Sequence, residues 1–242
     1  MQQSCRGAGD SDGRTSWSGK PELVDYVSFA RFFLHYMLHF SKAYDVSQPP
    51  EAPNRKVLNI ILGGYSYGSM ITQQVLPAGD ILKQFSNLAT STEKAVDFLW
   101  TCEKEIERLG GNLPSGFGIQ KLEDRRIQSH YLLISPLMSP VTFSLAPFSG
   151  WLSGQSAQQD DELHLIKCPT LAVFGGKDCF TSGKRLRQWA EKLKQRKDSN
   201  FRYEEIFDAG HFWREPGVAS KLQDVVHKWI QDVVTASEQS VA

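Results

Sequence analysis

The stretch from Val57 to Met70, VLNIILGGYSYGSM, runs from an apolar segment into two glycines that flank a single serine. Its apolar part is rich in Ile, Val and Leu and ends at glycine, which is typical of a buried parallel strand. Gly64, Ser66 and Gly68 then stand at alternate positions, where the strand would turn into a helix. The pattern G-x-S-x-G predicts a sharp turn that presents the serine at the end of the strand. A structural Gly-Ser turn is the alternative interpretation.

Glycine is needed at two positions of this stretch if strand and helix approach each other closely at the turn. Gly64 and Gly68 are then predicted to stand where a side chain would not fit. Ser66 would lie at the N-terminus of the following helix, whose N–H groups and positive dipole end stabilise an oxyanion. The turn therefore favours a nucleophilic serine.

Apolar spacing predicts further helices and strands along the chain. The predicted helices cover residues 21–44, 66–76, 91–109, 181–197 and 218–235, and Pro77 and Gly79 are expected to end the second of them. The predicted strands cover residues 56–64, 130–137, 168–176 and 201–210. Strands that alternate with helices favour an α/β fold, a mostly parallel sheet with helices on both faces. We expect one domain over residues 1–242, with a lid-like or variable segment at residues 138–162.

The composition excludes several classes of protein. Lys and Arg together number 27, as do Asp and Glu, and this balance argues against nucleic acid as a partner. No apolar run reaches the roughly 20 residues of a transmembrane segment, and the first twenty residues do not resemble a signal sequence. The cysteines are far apart, with no C-x-x-C pair that would indicate a zinc site or a disulfide framework; they are Cys5, Cys102, Cys168 and Cys179. We therefore expect a cytoplasmic protein.

Three reactive side chains follow three different predicted strands. Ser66 follows the first strand, Asp178 follows LAVFGGK, and His211 follows YEEIFDAG. Ligands of parallel α/β sheets bind beyond the C-terminal ends of the strands, where such residues meet. An alcohol, a carboxylate and an imidazole suit acyl transfer, in which the histidine takes the serine proton and the carboxylate orients the imidazole. Alternatives for the carboxylate are Asp208, three residues before His211, and Asp160 or Asp161 in the variable segment.

Other motifs of the sequence do not predict a metal or cofactor site. His35 and His39 have the spacing of two zinc ligands but lack the glutamate of H-E-x-x-H, so we expect a packed or partly exposed pair. The segment GAGDSD at residues 7–12 lacks the third glycine and the preceding strand of a dinucleotide loop. We expect neither a metal nor an organic cofactor.

These motifs resemble those of the α/β-hydrolases, and most closely their small, cap-poor serine hydrolases. The resemblance rests on GGYSYGS (63–69), VFGGKDCFTS (173–182) and DAGHFW (208–213), while CRGAGDSDGRTSW (5–17) is similar to the family loop R-G-x-G-x-S-x-G. It implies that Ser66 is the nucleophile, Asp178 the acid and His211 the base. It also implies that the backbone N–H of Tyr67, directly after the nucleophile, is one oxyanion donor.

The resemblance also predicts what this chain lacks. In the family, the R-G-x-G-x-S-x-G loop follows the fourth strand, so residues 1–18 would be the loop after an absent fourth strand. The fold would then be N-terminally truncated, without the first three strands, the first helix and the second oxyanion donor. The strand VLNIILGG (57–64) would lie at a bare sheet edge, through which a partner or a second copy could associate.

The leading prediction is a serine hydrolase that cleaves a small-molecule carboxylic ester, thioester or related acyl bond through an acyl-enzyme. Phe143, Phe148 and Trp151 in the variable segment are candidates for an acyl pocket, with packing on the core as the alternative. Two other functions stay open at this point. One is amide or peptide hydrolysis, and the other is a catalytically inactive hydrolase-fold remnant that acts as a binding or interaction protein.

Overall fold

The computed structural model describes residues 6–7, 10–16, 18–47, 57–89, 104, 108, 126–138 and 162–239. The acyl-pocket candidates Phe143, Phe148 and Trp151 lie outside these residues, as do Asp160 and Asp161. The predicted helix at 91–109 also lies outside them, apart from residues 104 and 108. Nearly all of the predicted lid-like segment lies outside them too. These predictions stay predictions.

The described strands match the four predicted ones in order and approximate position. They are β1 (Val57–Tyr65), β2 (Arg126–Ile134), β3 (Thr170–Gly175) and β4 (Phe201–Ile206). The helices with described bounds are α1 (Lys20–Ser47), α2 (Tyr67–Thr72), α3 (Ala78–Ala89), α4 (Leu163–Lys167), α5 (Gly183–Lys194) and α6 (Val218–Gln239). Among the described residues, none of the helices combines the length and apolar character that crossing a membrane requires.

The helix predicted over residues 66–76 is wrong in its extent. Helix α2 ends at Thr72, and the chain tightens there through bonds from Gln74 N to the Ile71 carbonyl and from Val75 N to the Thr72 carbonyl. Pro77 does not stop a helix but directly precedes α3, and its carbonyl oxygen accepts from Asp80 N at 2.8 Å. A proline fits a helix start since the first turn needs no N–H donor. Helices α3 and α4 were not predicted.

The four strands form one parallel sheet in the order β1-β2-β3-β4. Strand β2 pairs with β3 from Tyr131 opposite Thr170 to Ile134 opposite Val173, and β3 pairs with β4 along its whole length. Among the described strands, β1 lies at an edge of the sheet. Parallel strands joined through helices confirm the α/β fold class, and they bring the C-terminal strand ends to one side of the sheet.

The chain divides into two compact units. One comprises Met1–Ile60 and Leu76–Gln128, and the other comprises Ile61–Val75 and Ser129–Ser240. In the first unit, α1 contacts α3, and the buried apolar side chains of these helices include Leu34, Leu38 and Ile81. No observation tests the single domain predicted from the sequence.

In the second unit, helices pack on both faces of the β3–β4 pair. Side chains alternate across a strand, so Leu171 and Val173 of β3 lie in a core cluster with Trp229 and Val233 of α6. The opposite face meets α5, where Trp189 packs edge to face on Phe201. This two-sided burial fixes the ends of β3 and β4, from which Asp178 and His211 follow.

Candidate active site

Ser66 lies on the turn between β1 and α2, in a conformation that few side-chain-bearing residues adopt. Its φ is 53° and its ψ is −120°, a region that persists only where surrounding bonds hold it. The Ser66 N–H donates to the carbonyl of Ile134 at 2.9 Å. The Ser66 carbonyl in turn accepts from Ser69 N at 3.0 Å and from Ser69 Oγ at 2.6 Å. Hydrogen bonds at both its N–H and its carbonyl therefore hold the strained backbone of this serine in place.

The two glycines around Ser66 differ in what requires them. A Cβ at Gly64 would collide with the Gly68 carbonyl oxygen and with Thr72 Oγ1. A Cβ at Gly68 would meet no atom within 4 Å. The prediction that close approach requires glycine at both positions is thus wrong for Gly68, because its carbonyl, and not its α-carbon, makes the close contact with Gly64.

The structure brings Ser66, His211 and Asp178 together in one row of hydrogen bonds. Ser66 Oγ lies 2.7 Å from His211 Nε2, and His211 Nδ1 lies 2.7 Å from Asp178 Oδ2. The side chains of His211 and Asp178 are 2% and 1% exposed, so their contact is shielded from water. Asp178 Oδ1 accepts from the backbone N–H groups of Phe180 at 2.8 Å and Thr181 at 3.0 Å. Each oxygen of this buried carboxylate therefore has a partner, which fixes its orientation.

The alternative carboxylate, Asp208, takes no part in this row. Its side chain is 61% exposed and lies 3.7 Å from Lys177 Nζ. Three residues before His211, it belongs to the turn that follows β4 and faces solvent. Of these two aspartates, Asp178 is the one in contact with the histidine.

Residues that the sequence did not single out hold the backbone of His211. The His211 carbonyl accepts from Tyr65 Oη at 3.0 Å and from Ser135 Oγ at 3.2 Å. Trp213 Nε1 donates to Ser135 Oγ at 3.0 Å, which orients that hydroxyl toward the carbonyl. Burial, and then the charge of Asp178, raise the pKa of Tyr65, so its phenol stays protonated and donates at neutral pH. The one signal for Ser135 in the sequence is its position directly after β2, at the same side of the sheet as the other site residues.

A second bond closes the turn that carries His211. Gly210 N donates to Glu215 Oε1 at 3.0 Å. Hydrogen bonds from backbone N–H groups, those of Glu215 itself and of Gly210 foremost, lower the pKa of Glu215. The carboxylate is therefore ionised at neutral pH and can keep the turn from 210 to 215 closed.

The remaining predicted site features have a place in the fold but no tested role. Tyr67, the predicted oxyanion donor, is the first residue of α2, directly after Ser66. His35 is 1% exposed within α1, and the side chain of His39 lies outside the described ones. In the described part of the chain, no three His, Cys, Asp or Glu side chains are grouped as a metal site would need.

Comparisons with known proteins add little to this geometry. Neither a family model nor a curated protein matches the sequence. Among solved structures, the chain is similar to a protein of unknown function from Agrobacterium tumefaciens, described as a candidate alpha/beta hydrolase. The identity is 17%, the match covers 96% of this chain and 68% of that one, and the TM-score is 0.42. A likeness this distant carries no information about activity.

Proposed function

We propose that this chain is a serine hydrolase of the α/β-hydrolase type that cleaves a carboxylic ester, thioester or related acyl bond. The observation that carries the proposal is the row from Ser66 Oγ through His211 to Asp178, with 2.7 Å at each step. A nucleophile within hydrogen-bond reach of a base, which a third group orients, is the arrangement that acyl transfer needs.

The roles of the three residues follow from their contacts. Ser66 Oγ attacks the substrate carbonyl carbon while His211 Nε2 takes its proton, and the same proton then passes to the leaving-group oxygen of an ester, or sulfur of a thioester, as the acyl bond breaks. Water next attacks the acyl-enzyme and gives a proton to His211, which returns it to Ser66 Oγ as the bond from Oγ to the acyl group breaks and the acid is released. Asp178 keeps the Nδ1–H tautomer of the imidazole and stabilises the cation that forms in both steps.

The backbone around Ser66 supports the proposal independently of the hydrogen-bonded row. Strained residues cluster at functional sites, where surrounding structure over-determines them. Ser66 has φ 53° on a turn whose approach at Gly64 leaves no room for a Cβ. A serine that served only to connect strand and helix would not need this conformation.

One oxyanion donor belongs to the proposal. The N–H of Tyr67, at the start of α2, is adjacent in sequence to the nucleophile. A donor of this kind contributes roughly 3 kcal/mol of transition-state stabilisation. Among the described residues, we assign no second donor.

Fluorophosphonate labelling of the purified chain, read by intact mass, tests the proposal. The wild type is expected to gain one adduct, and Ser66→Ala to gain none. Ser220→Ala, at an exposed serine of α6, is the matched control and should be labelled like the wild type. An adduct that persists in Ser66→Ala, or folded wild-type protein without an adduct, would contradict the assignment of Ser66 as nucleophile. Circular dichroism establishes that each variant is folded.

A further inference from the structure

Three aromatic rings surround the imidazole of His211 and are open to solvent. Their centroids lie 4.4 Å (Phe180), 5.2 Å (Phe212) and 5.7 Å (Tyr65) from that of the imidazole. His211 is 2% exposed, whereas Phe180, Phe212 and Tyr65 are 61%, 52% and 44% exposed. We call these three residues the aromatic rim. They are exposed aromatic side chains next to the buried histidine.

The grouping of these rings goes beyond the ordinary scatter of apolar residues on a surface. Eight large hydrophobic side chains are exposed among the described residues, and three of them contact this one imidazole. The rings of Phe180 and Phe212 also meet edge to face, with centroids 5.8 Å apart. Exposed apolar groups that are contiguous mark binding sites more often than isolated ones do.

The position of the rim decides which part of a substrate it would contact. His211 Nε2 must pass its proton to the leaving-group oxygen, so this oxygen has to come within hydrogen-bond distance of the imidazole. The carbon atoms bonded to that oxygen are then among the substrate atoms that come nearest to the imidazole and to the rings that pack on it. The acyl group stays bonded to Ser66 during the same step. The rim therefore faces the leaving group more closely than the acyl group.

The chemistry of the rim indicates an apolar leaving group. Phe180 and Phe212 offer no hydrogen-bonding side-chain group, and the Tyr65 hydroxyl is already bonded to the His211 carbonyl. The Arg214 guanidinium lies 5.2 Å from the ring centroid of Phe212, a cation–π contact that holds this ring in place. Aromatic groups pack favourably on such rings, edge to face or offset.

We propose that the rim of Tyr65, Phe180 and Phe212 binds the leaving group of the substrate, and that the preferred substrates are esters of aromatic or comparably apolar alcohols. This inference rests on the proposed function, because it names the substrate class of the same site. It assigns specificity to residues that take no part in proton transfer.

Two acetate esters with different alcohols test the proposal by kinetics. Benzyl and methyl alcohol have similar acidity, so benzyl acetate and methyl acetate differ mainly in the apolar surface of the leaving group. The wild type is expected to prefer benzyl acetate about tenfold in kcat/KM, and Phe180→Ala and Phe212→Ala each to reduce this preference about threefold. Phe207→Ala is the matched control, since Phe207 is 73% exposed and not part of the rim; it should keep the wild-type preference.

A second pair of esters separates the leaving group from the acyl group. Methyl phenylacetate and methyl acetate share one alcohol and differ in the acyl part. The rim variants should leave the preference between these two esters unchanged. If they lower this preference instead of the benzyl preference, the assignment to the leaving group is overturned.

A binding measurement tests the rim even if the chain hydrolyses none of these esters. Benzyl alcohol is titrated into the protein while the imidazole signals of His211, assigned with His211→Gln, are followed by NMR. A shift that Phe180→Ala reduces, in protein that takes no fluorophosphonate, would support binding of an aromatic group at the rim but overturn the proposed function, and with it the assignment to a leaving group. Labelled, active protein with equal rates on both acetates and no shift would overturn the rim alone. Absence of labelling, hydrolysis and shift would overturn both.

Discussion

The turn that carries Ser66 and the turn that carries His211 meet at one site but are held in different ways. Around Ser66 most of the support is local, because Gly64 leaves room for the turn and Ser69 bonds to the Ser66 carbonyl. The His211 carbonyl is instead held by Tyr65 and Ser135, 146 and 76 positions away in the chain. A short motif can therefore indicate the serine turn, whereas the histidine turn depends on partners that only folding brings near.

Asp178→Asn is the substitution with the largest expected effect on this comparison. The amide cannot stabilise the imidazolium and favours the wrong tautomer, so we expect kcat to fall about 10⁴-fold with little change in fold. Steady-state hydrolysis of an activated ester measures the effect. Asp208→Asn is the control, because this exposed carboxylate pairs with Lys177 and not with His211. A larger loss in Asp208→Asn than in Asp178→Asn would reverse the assignment of the acid.

Gly64→Ala tests how far the serine turn depends on local space. The added methyl group collides with the Gly68 carbonyl and with Thr72, and overpacking of this severity should lower the free energy of unfolding by about 3 kcal/mol. Urea unfolding measures this change. Gly68→Ala is the matched control; in the open space of a helix start it should raise stability by up to about 1 kcal/mol. Equal losses in the two variants would show that the turn is not crowded at Gly64 in particular.

The pH dependence of stability tests a second buried histidine, His164, which lies in the same unit as the site. Burial lowers the pKa of His164 to about 4, and its ring packs 5.0 Å from that of Tyr131. Below about pH 6.5 the unfolded chain binds a proton at His164 that the folded chain does not bind. The contribution of His164 to the free energy of unfolding is therefore complete above about pH 6.5 and is lost as the pH falls toward 4. We expect His164 to account for about 2 kcal/mol of the stability lost between pH 7 and pH 5.

Urea unfolding at both pH values, in wild type and His164→Gln, isolates this contribution. The variant has no titrating imidazole at position 164, so its unfolding free energy should depend less on pH. Parallel pH profiles for the two proteins would contradict the assigned role of His164.

Tyr65→Phe has the smallest expected effect and tests the long-range support of the histidine turn. The His211 carbonyl loses one donor but keeps Ser135, so we expect about 1 kcal/mol less stability. A displaced imidazole should also lower kcat about tenfold. Tyr131→Phe is the control, because Tyr131 Oη also donates to a backbone carbonyl, that of Val75, but away from His211. It should lose similar stability while kcat stays unchanged; a matching fall in kcat would show that Tyr65 has no specific positioning role.

Local patterns in the sequence predicted the four strands, their order along the chain and the α/β class. Each strand is a short apolar run bounded by turn residues, and such runs need little tertiary information to be recognised. The same patterns placed Ser66, Asp178 and His211 at three strand exits, and parallel strands bring such exits to one side of a sheet. The start of α3 directly after Pro77 was not predicted, because proline both ends and precedes helices and the sequence does not say which.

The sequence by itself determined which residues could meet, and the tertiary structure decided which of them do. Asp178 and not Asp208 contacts His211, since the turn after β3 points its carboxylate inward while Asp208 faces solvent. The bonds of Tyr65 and Ser135 to the His211 carbonyl join separate strand ends, and no short motif contains both partners. The difference between Gly64 and Gly68 depends on the space around each α-carbon. Distances between remote segments and the room around a backbone atom exist only once the chain has packed, so local sequence patterns do not report them.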